Sequence, residues 1–280
     1  IPNLEEGTIT VYPNVEGEGE VTVELCSGAV GFDPIKMKPG KVLAKGVVED
    51  GAVTLAVSNV EKWTPDNPYL YALRFTVAKE GKKVDSAIGY TTLREVGTIV
   101  DKNEFKRLSL NGEPLFQYGP LDQGWWPDGL YTAPTLDAMK YDIEKTRDFG
   151  YNMIRKHIKV EPSSWYYWCD RLGIMVWQDM PSITANKHQK WDQNLPYGGT
   201  EWDAPEEVRE TYYKEWGEII DHLKTFNCIV VWVPFNEAWG QFETSKAVDF
   251  TKAKDPSRLV NPASGGNFFD EFGDMLDSHH

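Results

Sequence analysis

The pair Asn236-Glu237 closes the apolar run Ile229-Val230-Val231-Trp232-Val233-Pro234-Phe235. A run of that length, rich in β-branched residues, reads as a strand buried on both faces, as in a parallel sheet. Parallel α/β folds bind ligands at the carboxyl ends of their strands. Asn236 and Glu237 therefore stand where chemistry is expected, a carboxyl group able to exchange protons beside an amide able to hydrogen-bond. The plainer alternative is that Glu237 opens the next loop or caps a helix.

Other polar residues fall at the ends of further expected strands. They are Asp122 and Gln123, Arg155 and His157, Gln178 and Asp179, and then Asp277, His279 and His280. Each alone reads as well as a loop residue or a salt bridge, but a barrel would converge them on one pocket. Ten of the eleven tryptophans lie after residue 100. Aromatic faces pack against the C–H faces of sugar rings, and Trp125, Trp126 and Trp239 are the better candidates for such a site. Trp165, Trp168 and Trp216 are assigned to helix packing.

The elements that would position these residues change character along the chain. Residues 1–98 read as a β-sandwich of immunoglobulin-like size, with alternation at Thr8–Tyr12, Val21–Leu25, Val53–Val57 and Tyr71–Val77. Asn111-Gly112 marks a hairpin turn. Residues 99–280 then alternate strands and helices, which implies a parallel sheet with helices outside. Strands are expected at Leu115–Tyr118, Met153–His157, Ile174–Trp177, 229–235, Arg258–Asn261 and Met275–Ser278. Thr135 and Ser163 are read as helix caps, with Leu136, Met139, Ile143 and Thr146 on one helix face. Six βα units suit an open doubly wound sheet or most of an eight-stranded barrel. No glycine-rich fingerprint follows the first strand, which argues against nucleotide binding.

The net charge of −14 argues against nucleic acid or an anionic membrane surface as partner. Three cysteines, Cys26, Cys169 and Cys228, have neither zinc spacing nor a disulfide pattern. No run approaches a membrane span, and no cofactor is indicated. The compartment stays open, with a periplasmic or extracellular setting preferred to a cytoplasmic one.

Several segments, in order, carry a family resemblance: Asn111-Gly112-Glu113-Pro114, Gly150-Tyr151-Asn152-Met153-Ile154-Arg155, the stretch Trp168 to Asp179, and Val233-Pro234-Phe235-Asn236-Glu237. They resemble the barrel of glycoside hydrolase family 2, the β-galactosidase, β-mannosidase and β-glucuronidase family. The stretch Trp63 to Tyr71 is similar to that family's immunoglobulin-like domain. The resemblance implies a retaining exo-β-glycosidase, β-galactosidase-like, acting on an oligosaccharide or glycoside through two carboxyl groups about 5–5.5 Å apart. It implies Glu237 as acid/base, a role that needs a carboxyl pKa raised toward neutrality. It also implies Asn236 as donor to the sugar 2-hydroxyl, and Arg155 and His157 as orienting groups. Asp179, Trp239, Trp125, Trp126 and His279 complete the substrate-binding candidates. The family's nucleophile belongs on a seventh strand. The chain is thus expected to be an internal fragment with an incomplete (β/α)8 TIM barrel, bearing the acid/base but not the nucleophile, and inactive alone. Two other readings stay open: a non-catalytic carbohydrate-binding or scaffolding module, and another retaining β-glycanase of the same barrel superfamily.

Overall fold

A computed structural model describes residues 1–28, 38–181, 201–237, 240–265 and 273–279. Trp239 and His280 lie outside the described residues. The chain divides into two units, Ile1–Glu95 and Val96–His280.

The first unit has strands β1 (Pro2–Asn3), β2 (Thr8–Val11), β3 (Glu20–Cys26), β4 (Val42–Val47), β5 (Val53–Ala56), β6 (Tyr71–Lys79) and β7 (Lys82–Thr91). They form two antiparallel sheets, β1-β2-β5 and β4-β3-β6-β7. Alternation turns Ile9, Val11, Val23, Leu25, Val53, Leu55, Tyr71 and Leu73 into a single core. The β6–β7 connection is the two-residue turn Glu80-Gly81, with φ of +51° and +74°, the backbone that suits the strands' right-handed twist. Trp63 is fully buried and its N–H bonds the Leu93 carbonyl.

The second unit opens with an antiparallel sheet of β8 (Val96–Val100), β9 (Lys106–Leu110) and β10 (Glu113–Pro114). The turn between β9 and β10 is Asn111-Gly112, both residues at positive φ, as the dipeptide predicts. Next come β11 (Leu121–Asp122), α1 (Leu136–Asp148), β12 (Met153–Lys156), α2 (Ser163–Leu172), β13 (Met175–Asp179), α3 (Glu206–Leu223) and β14 (Ile229–Val233). They are followed by β15 (Phe235–Asn236), α4 (Thr244–Lys254), β16 (Leu259–Val260) and β17 (Ala263–Ser264). The sheet β11-β12-β13-β14-β16 is parallel throughout, and β15 pairs with β17 in parallel beyond it. Pro234 falls between β14 and β15, and Pro262 between β16 and β17. Neither has an N–H to give, so the ladder breaks there and resumes one residue later.

The helices bury apolar faces on this sheet. Met139, Ile143, Trp165, Tyr166, Tyr212, Trp216 and Leu223 meet Ile154, Val176, Ile229 and Trp232 in one core. Trp232 lies edge-on to Trp216 at 5.6 Å, so it packs outward against helices. The Thr135 hydroxyl caps α1 by accepting the Ala138 N–H at 3.0 Å, a bond worth about 1 kcal/mol. Gly173 closes α2 in the left-handed region. All three cysteines are buried and free. No helix among the described residues is long and apolar enough to cross a membrane.

Four details differ from the sequence reading. The first strand is displaced from Leu115–Tyr118 to β11, because hydrogen bonding to β12 runs through Tyr118, Pro120 and Asp122. Ser163 is the first residue of α2 rather than its cap; Pro162 takes the cap position, and the Ser163 hydroxyl meets His222 Nε2 at 3.2 Å. Leu136 is exposed, since it lies in the first turn of α1, away from the core face of Met139 and Ile143. Met275–Ser278 is not a strand; beside β16, Asp274 instead bonds Val260 through its backbone N–H and its carboxylate.

Candidate active site

The parallel strands deliver their carboxyl ends to one place. On β12 the period-two pleat alternates Ile154 and Lys156 toward the helices with Arg155 and then His157 toward the other face. Arg155 makes a two-pronged ion pair with Asp179, the last residue of β13: Nε to Oδ1 at 3.0 Å and Nη2 to Oδ2 at 2.8 Å. Its Nη2 also donates to Asn236 Oδ1 at 2.6 Å. Arg155, Asp179 and Asn236 are all buried.

This fixes the Asn236 amide. With Oδ1 held by a guanidinium, which can only donate, the Nδ2 donor must turn the other way, to 3.5 Å from Glu237 Oε2. Asp179 is sealed from solvent and reaches Asn236 only through Arg155. Burial raises the Asp179 carboxyl above its ordinary value, and the Arg155 guanidinium and the Ile158 N–H oppose the rise. His157 is pushed below its ordinary value by burial, with Asp179, Asn236 and Glu237 pulling back upward. Its Nδ1 lies 3.3 Å from Gln123 Nε2.

Two residues beside the cluster hold left-handed backbone without being glycine. Ile158, at φ +44°, aims its N–H at Asp179 Oδ2, 3.1 Å away. Glu237, at φ +45°, donates its N–H to the Ser264 carbonyl at 2.7 Å. Such conformations cost about 1–3 kcal/mol each and persist where surrounding bonds over-determine them. Here the bend turns the Glu237 carboxyl out of the ladder toward His279, whose Nδ1 lies 3.1 Å from Oε1. Both side chains are partly exposed.

Trp125 and Trp126 belong to a neighbouring loop. Trp126 and Leu130 exchange backbone hydrogen bonds at 2.7 and 2.9 Å, and Trp125 stands edge-on to Tyr131 at 5.0 Å. Under this loop lies a buried charge cluster that sequence reasoning did not find. Lys156 reaches Asp122 at 2.5 Å and Glu161 at 3.0 Å, and Lys159 reaches Glu161 at 2.9 Å. Lys159 also donates to the carbonyls of Gly124 and Tyr131. The alternation Arg155-Lys156-His157 was the available signal, because it sends one cation to each face. Gln178, although at a strand end, points to the helices and bonds Tyr166. Among the described residues no group of three or more potential metal ligands is present.

Residues 131–277 match the family described as "Glycosyl hydrolases family 2, TIM barrel domain", and residues 6–94 match "Glycosyl hydrolases family 2". A β-galactosidase of Psychromonas ingrahamii is 25% identical over 79% of the chain and 20% of its own length. A putative β-glucuronidase of Formosa agariphila is 28% identical over 81% of the chain and 21% of its own length. The chain thus spans about a fifth of the length of these relatives. Among solved structures, a β-D-glucuronidase from Dictyoglomus thermophilum superposes with a TM-score of 0.74 at 19% identity, over 98% of the chain and 44% of that structure. At that identity the likeness speaks for the fold.

Proposed function

The chain belongs to glycosyl hydrolases family 2, and from that premise we propose that it forms part of a retaining β-glycosidase and carries its acid/base. The observation that carries the reading is the Asp179–Arg155–Asn236–Glu237 series at the strand ends. Glu237 protonates the departing glycosidic oxygen while a second carboxylate attacks the anomeric carbon. Water then displaces the enzyme from that carbon and gives its proton to Glu237, restoring the acid. Asn236 Nδ2 donates to the sugar 2-hydroxyl, a bond that strengthens as charge develops at the anomeric carbon.

Asp179 is sealed behind Arg155, and Asp277 is held by Ser264 and Asn261. We assign the nucleophile to neither, and place it on the seventh barrel strand that the family resemblance implies. The 280 residues alone are expected to turn over aryl glycosides negligibly. Turnover at ordinary enzyme rates, about 1–1000 per second, by the purified chain would overturn that assignment. In a longer polypeptide that does turn over, Glu237→Ala should abolish activity on glycosides with poor leaving groups and spare activated ones. Equal activity on both would remove Glu237 from the mechanism.

A terminal β-galactoside is the favoured substrate, and the β-glucuronide is the second reading because relatives include both activities. Arg155, Lys156 and Lys159 are each committed to carboxylates, which leaves them poorly placed to take up a substrate carboxylate. Chromogenic galactosides and glucuronides assayed side by side decide between the two.

A further inference from the structure

The proton accounting around His279 points to a role that goes deeper than substrate contact. Asp277 Oδ2 accepts two hydrogen bonds, from Asn261 Nδ2 at 2.9 Å and from Ser264 Oγ at 2.5 Å. The single Ser264 hydroxyl proton is thereby committed to Asp277. Ser264 Oγ lies also 3.2 Å from His279 Nε2, so toward the imidazole it can only accept. The Asp277 Oδ1 atom stands 3.6 Å from the same nitrogen and reinforces that demand. Nε2 must therefore carry a hydrogen. In neutral imidazole the other nitrogen then presents a lone pair, and Nδ1 is the atom that faces Glu237 Oε1 at 3.1 Å.

A lone pair facing a carboxylate would repel it. The contact is favourable when Glu237 holds a proton and donates it to Nδ1, or when that proton has crossed to His279. We propose that Glu237 and His279 share one proton, and that Ser264 and Asp277 are positioning residues that fix the His279 tautomer so that Nδ1 faces the acid/base. The site is built for this ring: Gly265 lies at φ +67°, and a Cβ there would collide with the imidazole. The proposal rests on Glu237 as acid/base. In turnover the shared proton leaves to the glycosidic oxygen, and the proton of the incoming water replaces it.

Among the described residues, Asp277 faces His279 from its own segment, and Glu237 faces it from the turn after β15. Beyond Asn236 stand His157 and Arg155 of β12 and its following turn, with Asp179 of β13 behind Arg155.

Long-range proton–nitrogen spectra of the 15N-histidine-labelled chain test this without any turnover, with His279 assigned by loss of its signals in His279→Gln. The Nε2–H tautomer is expected. Glu237→Gln should move the His279 nitrogen resonances, because the two side chains share one proton. Ser264→Ala should mix the two tautomers. An Nδ1–H tautomer, or His279 nitrogen resonances indifferent to Glu237→Gln, overturns the proposal. In a polypeptide that turns over, His279→Gln should move the alkaline limb of the kcat/KM profile to lower pH. An unmoved limb overturns the proposal while Glu237 keeps its role. A kinetically silent Glu237→Gln instead sinks the functional reading, and the spectra still report on the tautomer.

Discussion

The parallel sheet holds a buried arginine–aspartate pair at each end, and the two pairs do different work. At the carboxyl ends Arg155 and Asp179 meet through two bonds, and the remaining donor capacity of Arg155 goes to a side-chain amide, Asn236. At the amino ends Arg258 meets Asp255, and its other donors go to the backbone carbonyls of Lys224, Phe226 and Ile229. Asp255 in turn accepts from Trp232 Nε1 at 3.0 Å. The second pair staples the turn that leads into β14 and orients a core indole. The first orients the side-chain amide next to Glu237. Burying an ion pair is nearly neutral for stability when its partners are satisfied, so what separates the pairs is the third party each arginine holds. This agrees with the division in barrels between a chemical face and a stabilising face.

The sharpest way to break the comparison is to alter one end and read both stability and turnover. In a catalytically competent polypeptide, Glu237→Gln should lower turnover on poor leaving groups by about 100- to 10,000-fold, with an unfolding midpoint close to native. A similar loss of turnover from a change at Asp255, measured per folded molecule, would erase the distinction. Asp255→Ala should instead destabilise by about 3–5 kcal/mol, because it strands a buried guanidinium, and denaturant unfolding would record it. Asp179→Asn is smaller in stability, about 1–3 kcal/mol for the lost charge-assisted bonds. It should still cost about 10- to 100-fold in turnover, since Arg155 and Asn236 lose their orientation. If Asp179→Asn moved stability alone, the upper pair would be no different in kind from the lower one.

Much of this was legible because local chemistry dictated it. The apolar run before Asn236-Glu237 reads as a doubly covered strand, and β14 is buried along its whole length. Asn111-Gly112 could only favour a tight hairpin, and Thr135 had a helix face behind it to cap. Of the strand-end polar residues, Arg155, His157, Asp179, Asn236, Glu237 and His279 take part in one network, whereas Gln178 and Asp122 bond elsewhere. What stayed hidden depends on side-chain partners set by tertiary register. Ser264 and Asn261 carry no charge and sit in a plain Asn-Pro-Ala-Ser stretch, yet Ser264 pairs with Asn236 across β15 and β17. Lys156 lies between two site candidates, and the pleat sends it to the opposite face, into a charge cluster of its own. Nothing in the sequence neighbours of Asp179 reveals that Arg155 would seal it. Nor does any neighbour of Glu237 signal that this residue itself bends into left-handed backbone.

The two ends of the sheet should also answer differently to acid, and this is the smallest effect expected. His157, at the upper end, has its pKa lowered by burial. The unfolded chain therefore takes up a proton at His157 more readily than the folded one. Stability from this residue is fully present above the unfolded value, about 6.5, and falls as pH drops from there toward the lowered folded value. At the lower end, burial pushes the Asp255 carboxyl up, but Arg258, Ser257 and Trp232 together bring it below its ordinary value. Its contribution stays intact above about 3.9 and is lost only further down. Between about pH 7.5 and 5.5 His157 should therefore contribute a slope and Asp255 none. In urea unfolding at both pH values, the contribution of His157, read as native minus His157→Gln, should fall by no more than about 1.4 kcal/mol, the limit for one proton over the single pH unit below 6.5. His157→Gln should flatten that loss, because glutamine can still meet Gln123 and Asn236 without titrating. Asp255→Asn should lower stability at both pH values by the same amount and leave the slope as it was. A slope that survives His157→Gln would move its origin to another group, and one that disappears with Asp255→Asn would place it at the wrong end of the sheet.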